Sequence, residues 1–314
     1  MRISKKSKEY DYFVTMIRPP NLKKGDRVAL LSTARKIDAA ILNDATEVFG
    51  KWGLEIVPAP KLFAAQDQFA GSDDERIENL QWALDDPSVK AILCARGGYG
   101  TARIIDHLNW KVFLDLPKWI IGYSDVCVLH GHLQNMGVES LHASMPVNFD
   151  NNSPESLQGI QDALFGSTIG YQFAPDSFNT PGSASGPVVG GNLSIMYSLV
   201  GSSSMPPLKG SILFLEDLDE YLYHIDRMIV ALKRAGVFET ISALVVGGMT
   251  DMNDNEIPFG KNPVEIIADQ LEEYSFPISF GMPAGHLSDN LPLIFGRPAH
   301  LEVNEQGSSL KFSS

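Results

Sequence analysis

The stretch Lys118-Trp119-Ile120-Ile121-Gly122-Tyr123-Ser124-Asp125-Val126 decides how this chain is read. Trp119 to Tyr123 forms a short apolar strand, and a helix from Val126 to about Met136 follows with almost no connection. A strand that turns straight into a helix lifts the residue at the turn clear of both, and here that residue is Ser124. The helix start aims backbone N–H groups and the positive end of its dipole at the same point. This is the layout of a nucleophile elbow, with one departure: Val126 stands where Gly-x-Ser-x-Gly would have its second glycine. The competing reading of the same residues is an ordinary strand–helix turn.

Outward from the elbow, the first 150 residues alternate strand and helix. Arg27–Ser32, Leu54–Val57, Val89–Ala95 and Trp119–Tyr123 read as strands. Between them Ile37, Ile41, Ala45, Val48 and Trp52 recur at helical spacing. Ser72-Asp73-Asp74-Glu75 is a capping box opening a helix with Ile77, Leu80 and Leu84 on one face. Continuous apolar strands separated by amphipathic helices specify a parallel sheet covered on both faces, with ligands at the carboxyl ends of its strands. Ser124 and the loop Arg96-Gly97-Gly98-Tyr99-Gly100 both fall at such ends, so they share a crevice.

The fold class is therefore α/β, and the chain divides by composition. Residues 1–15 are polar and lysine-bearing, an extension outside the fold with translation starting at Met1 or Met16. Residues 16–150 form the domain that carries the elbow. Residues 151–185, rich in Asn, Ser, Pro and Gly, read as the connection, and 186–314 as a smaller, strand-rich α+β domain. A net charge of −13 provides no basic surface for nucleic acid. Cys94 and Cys127 have neither metal nor redox spacing, no apolar run approaches membrane-spanning length, and the N-terminus lacks a signal-peptide pattern. The location expected is cytoplasmic.

A serine nucleophile needs a base. Of the seven histidines, His130 and His132 lie two apart on one helix and point in different directions, so they form no metal pair. His286, in the loop Gly281–Asn290 after an apolar strand, is the best base, with His142 a further candidate to line the crevice. The acid that orients the imidazole belongs at a rigid strand end. Glu216, the first polar residue after Ile212-Leu213-Phe214-Leu215, meets that need, with Asp217, Asp219 and Glu220 as competitors. The backbone N–H groups of Gly98 and Asp125 are candidates for an oxyanion hole. Arg96 is placed either to bind a substrate carboxylate or to brace the glycine loop. Asn192 either contacts substrate or starts a helix.

At these residues the chain resembles the LD-carboxypeptidase family, which includes the microcin C immunity peptidases. Arg96-Gly97-Gly98-Tyr99-Gly100, Gly122-Tyr123-Ser124-Asp125, Gly190-Gly191-Asn192-Leu193, Leu215-Glu216-Asp217 and Gly285-His286 carry the resemblance, in order, over nearly everything from Ile17 onward. It implies a Rossmann-like N-terminal domain, a β-rich C-terminal domain and a homodimer that needs no cofactor or metal. It also implies a serine peptidase in which Ser124 is nucleophile, Glu216 orienting acid and His286 base, with the amides of Gly98 and Asp125 as oxyanion donors. The implied substrate is a murein-derived tetrapeptide that loses its terminal D-alanine. The alternative is a peptidyl- or aminoacyl-adenylate, with Tyr171, Phe173 or Phe178 supplying the aromatic stack, since all four tryptophans lie in the first domain. A non-catalytic ligand-binding protein is the third reading.

Overall fold

The computed structural model describes residues 16–314, so the suggested extension over residues 1–15 lies outside the described residues. Five strands of the first half run parallel: β1 (Arg27–Leu31), β2 (Glu55–Pro58), β3 (Val89–Cys94), β4 (Trp119–Gly122) and β5 (Ser140–His142). The crossovers carry α1 (Ala39–Lys51), α2 (Asp73–Asp85), α3 (Lys111–Asp115) and α4 (Cys127–Asn135). Side chains alternate across a strand, so a doubly covered sheet needs apolar residues at every position. Val28, Leu30, Ala91, Leu93, Trp119 and Ile121 join the core on one face. Ala29, Leu31, Ile92, Cys94 and Ile120 join the core on the other. The Ser72–Glu75 capping box closes in both directions at the start of α2.

The second half contributes α5 (Pro154–Phe165), β6 (Gly170–Phe173), β7 (Gly182–Asn192), α6 (Leu193–Leu199), β8 (Ile212–Leu218), α7 (Leu222–Arg234), β9 (Ala243–Thr250) and α8 (Pro263–Leu271). It ends with β10 (Ile278–Ser279), β11 (Leu293–Phe295), β12 (Pro298–Asn304) and β13 (Gly307–Phe312). Its seven-stranded sheet has the order β10-β9-β8-β7-β12-β13-β6. The β7-to-β10 side is parallel, and β12, β13 and β6 add antiparallel strands. β11 leaves this sheet and pairs antiparallel with β5, completing the six-stranded order β11-β5-β4-β3-β1-β2.

Residues 151–185 are more ordered than their turn-rich composition suggests. Ser153 caps α5 and Pro154 occupies its first turn, so the Ser-Pro pair marks a helix start. Gly182 already belongs to β7. Small residues suit this strand because another backbone passes close by: a Cβ on Gly186 would stand 2.1 Å from the Gly210 carbonyl oxygen.

Candidate active site

Ser124, two residues beyond β4, stands at φ 63, in the left-handed region that costs an L-residue about 1–2 kcal/mol. The other non-glycine residues with positive φ among the described residues are Asp67, Asp219 and Asp251, a residue type that tolerates it better. A single 3-10 turn, Ser124–Val126, leads directly into α4, so helical structure begins at the serine itself. Val126 is accommodated because the residue opposite is Gly122: a Cβ there would lie 3.0 Å from Val126 Cγ2.

The Arg96–Gly100 loop abuts the elbow. A Cβ on Gly97 would come within 3.1 Å of Ser124 Oγ, so glycine leaves the hydroxyl its room. Neither the Gly98 nor the Asp125 amide donates to another described residue. The loop is braced by Arg76, a residue that sequence reasoning passed over. Its fully buried guanidinium donates from Nη1 to Thr33 O at 2.6 Å and Gly100 O at 2.9 Å. Nη2 meets Asp73, which also takes Arg103. Asp125 contributes its side chain as well, with Oδ2 accepting the Thr101 N–H at 2.8 Å. Burial raises its carboxyl pKa, opposed by these donors. Arg96 is half-buried and in no ion pair among the described residues, so the bracing considered for it falls to Arg76.

Glu216 and His286 meet across 70 residues of sequence. Glu216 Oε2 accepts from His286 Nδ1 at 2.7 Å and from the His286 backbone N–H at 3.2 Å. The contact depends on Gly285, where φ is +106 and a Cβ would lie 2.6 Å from Glu216 Oε2. Asn290 Oδ1 holds the Gly285 N–H at 2.8 Å, and Thr250 Oγ1 donates to His286 O. The carboxylate fixes Nδ1 as the donor nitrogen, leaving Nε2 the basic one. The imidazole lies 4.7 Å, centroid to centroid, from the ring of Tyr123, the residue before Ser124. Burial alone would depress the pKa of His286. The charge and hydrogen bond of Glu216, aided by Asp217, outweigh burial and raise it above 6.5.

The competing acids point elsewhere. Asp217, one step along β8, faces the opposite way and accepts from Asn192 Nδ2 at 2.8 Å and the Ser194 N–H at 2.9 Å. Burial, then the neighbouring Glu216, push its pKa up to about 7 despite these donors. Asp219 takes Asn253, and Glu220 takes His224 at 2.6 Å. Asn192 caps α6, accepting the Ile195 N–H, so it starts a helix and is tied to Asp217. His142 is fully buried behind Tyr123, against Phe214 and Phe295. Burial, followed by the charges of His130 and His286, holds its pKa well below 6.5. It lies in the core and does not line the crevice. Burial likewise raises the Cys94 thiol to about 12 and Cys127 higher still, so neither is a poised nucleophile.

Of the aromatics considered for stacking a base, Tyr171 and Phe173 pack against the core, and the Tyr171 hydroxyl donates to Pro292 O at 2.7 Å. Phe178 is exposed. Among the described residues no His, Cys, Asp and Glu side chains cluster as metal ligands, and no helix is long and apolar enough to cross a membrane. A strained serine at a helix start, unengaged amides beside it and an imidazole held by a buried carboxylate make up the equipment of acyl transfer.

Residues 28–143 match the model of the LD-carboxypeptidase N-terminal domain, and residues 185–301 that of the LD-carboxypeptidase C-terminal domain. The chain is 32% identical to the probable murein peptide carboxypeptidase of Bacillus subtilis, over 92% of each protein. Its fold is similar to that of the muramoyltetrapeptide carboxypeptidase from Oxalobacter formigenes, with a TM-score of 0.85, 25% identity, and 92% of this chain and 99% of that one covered. It is also similar in fold to the microcin C7 self immunity protein MccF in complex with aspartyl sulfamoyl adenosine. The TM-score there is 0.82 at 20% identity, over 94% of this chain and 98% of that one.

Proposed function

Since this chain belongs to the LD-carboxypeptidase family, we propose that it is a serine-type carboxypeptidase that releases terminal D-alanine from murein tetrapeptides in cell-wall recycling. The observation that carries the chemistry is the 2.7 Å pair of His286 Nδ1 and the buried Glu216, with the imidazole 4.7 Å from the ring of Tyr123, the residue before the strained Ser124. The murein substrate is supported by the relatives named for it. A cytoplasmic homodimer is the setting that the family resemblance favours.

Ser124 Oγ attacks the carbonyl carbon of the third residue while its proton passes to His286 Nε2. The imidazolium that forms is stabilised by Glu216, and the developing oxyanion takes the Gly98 and Asp125 N–H groups. When the C–N bond breaks, His286 returns the proton to the amine of D-alanine. Water then attacks the Ser124 ester with His286 again as base, releasing the tripeptide. The left-handed turn at Ser124 presents its hydroxyl ahead of the helix start, so attack needs no rearrangement of the elbow.

The full chain incubated with L-Ala-γ-D-Glu-meso-diaminopimelate-D-Ala tests this, with D-alanine followed by mass spectrometry and Ser124→Ala alongside. Release by the wild type alone is expected. A folded wild type that leaves the tetrapeptide intact but hydrolyses aspartyl sulfamoyl adenosine would contradict the murein reading and keep the acyl-transfer chemistry.

A further inference from the structure

The first sheet reverses its winding between β1 and β3: from β1 the chain goes outward to β2, then returns past β1 to β3 and on to β4. Loops leaving two adjacent strands at such a switch point diverge and open a crevice at their carboxyl ends. The β3 loop supplies the glycines of the site. The β1 loop supplies Arg35, an exposed residue outside the motifs that mark the elbow and its partners.

Arg35 is laid directly over the glycine turn. Its backbone N–H donates to Gly97 O at 3.4 Å. Its side chain crosses Gly98 so closely that a Cβ there would stand 2.6 Å from Cγ and Cδ and 2.9 Å from Nε. The absent side chain at position 98 thus admits an arginine as well as freeing an amide. The nearby acid is already committed, since Asp73 holds both Arg76 and Arg103. Arg35 itself is in no ion pair among the described residues. A cation kept unpaired over the Gly98 turn, in a chain of net charge −13, is suited to an anionic group of the substrate.

Building on the carboxypeptidase reading, we propose that Arg35 is a specificity residue whose guanidinium takes the free terminal carboxylate of the peptide and restricts cleavage to the last bond. In the leaving residue only N and Cα separate the scissile carbonyl carbon from that carboxylate, a span of about 4 Å. With the carbonyl oxygen at the Gly98 amide, the carboxylate falls under the arginine that crosses Gly98. The planar fork matches a carboxylate in two parallel hydrogen bonds. A chain one residue longer would carry its carboxylate beyond that reach. Arg35, and not Arg96, is the arginine whose side chain lies nearest Gly98.

Two tetrapeptides distinguish the outcomes, one ending in D-alanine and the other in D-alaninamide. Wild-type kcat/KM should favour the carboxylate by about 10–100-fold, the worth of a charge-assisted bidentate contact. Arg35→Gln should remove most of that preference, chiefly through KM, and Arg35→Lys should restore part of it. Thermal unfolding checks that the variants are folded. An unchanged preference in Arg35→Gln, or its loss in Arg96→Gln alone, would overturn the assignment. A folded wild type that releases neither D-alanine from the one peptide nor D-alaninamide from the other would sink the carboxypeptidase reading, and this proposal with it.

Discussion

Replacing Glu216 with glutamine probes the coupling on which the proposed chemistry depends. Glutamine can keep an oxygen at the Oε2 position, accepting from both His286 Nδ1 and the His286 backbone N–H as the carboxylate does. What it removes is the charge, from a residue with no solvent exposure. With Nδ1 and Oε2 2.7 Å apart, the centres of imidazolium and carboxylate charge lie about 4 Å apart. At an effective dielectric constant near 20 that is worth about 4 kcal/mol, or about 10³ in rate if it is all expressed in the transition state. Retained hydrogen bonding brings the expectation to about 10²–10³-fold in kcat. The pH profile adds a second readout. Glu216 raises the His286 pKa, and the base works only when neutral. The acid limb of kcat/KM should therefore lie above the ordinary histidine value in the wild type and move to lower pH in Glu216→Gln. The assay is D-alanine release across the pH range, with thermal unfolding to check the fold. A variant within threefold of wild type at every pH, or an acid limb that stays in place, would refute the reasoning.

Further outcomes follow from the elbow and its surroundings. Ser124→Gly should abolish turnover yet stabilise the protein by up to about 1 kcal/mol, because relief of about 1–2 kcal/mol at φ 63 exceeds the added unfolded-state entropy of glycine. Urea unfolding showing a loss of more than about 1 kcal/mol would contradict the strain argument. Gly97→Ala puts a Cβ 3.0 Å from Ser124 Cβ and 3.1 Å from its Oγ, so kcat should fall by about 10–100-fold with the fold intact. Gly50→Ala, in a helix where a Cβ meets nothing within 4 Å, is the control and should stabilise by about 0.5–1 kcal/mol. Equal kinetics for the two alanine variants would show that Gly97 does not make room for the nucleophile.

Much of the fold is written in local pattern. β1, β3 and β4 are apolar at nearly every position because both faces are covered, and Ser72–Glu75 and Asn262-Pro263 name their helix starts. Ser124 stands out at a strand–helix turn, Glu216 as the first polar residue after four apolar ones in β8, which runs on to Leu218, and His286 as a histidine in a glycine-bearing loop. Their mutual placement has no such signature: Glu216 reaches His286 only because Gly285 lacks a side chain. Glu216 differs from Asp217 by the face of a strand, which alternation decides once the burial of each face is known. Arg76 looks like a surface charge on a capped helix, yet it is buried because acceptors from the loop after β1, the glycine loop and Asp73 converge on it. Arg35 and the Asp125 side chain are hidden for the same reason, as their partners come from other elements. β11, only Leu293–Phe295, is too short to declare itself, and its return to the first sheet is settled by β5.

The central claim is that Ser124 becomes acylated by the peptide, and the most direct measurement is intact-mass analysis of the full chain quenched during turnover of the tetrapeptide. The account predicts an added mass equal to the substrate less D-alanine, mapped by proteolysis to the peptide containing Ser124 and absent from Ser124→Ala. D-alanine release by Ser124→Ala at the wild-type rate, or an adduct mapped to another residue, would contradict it.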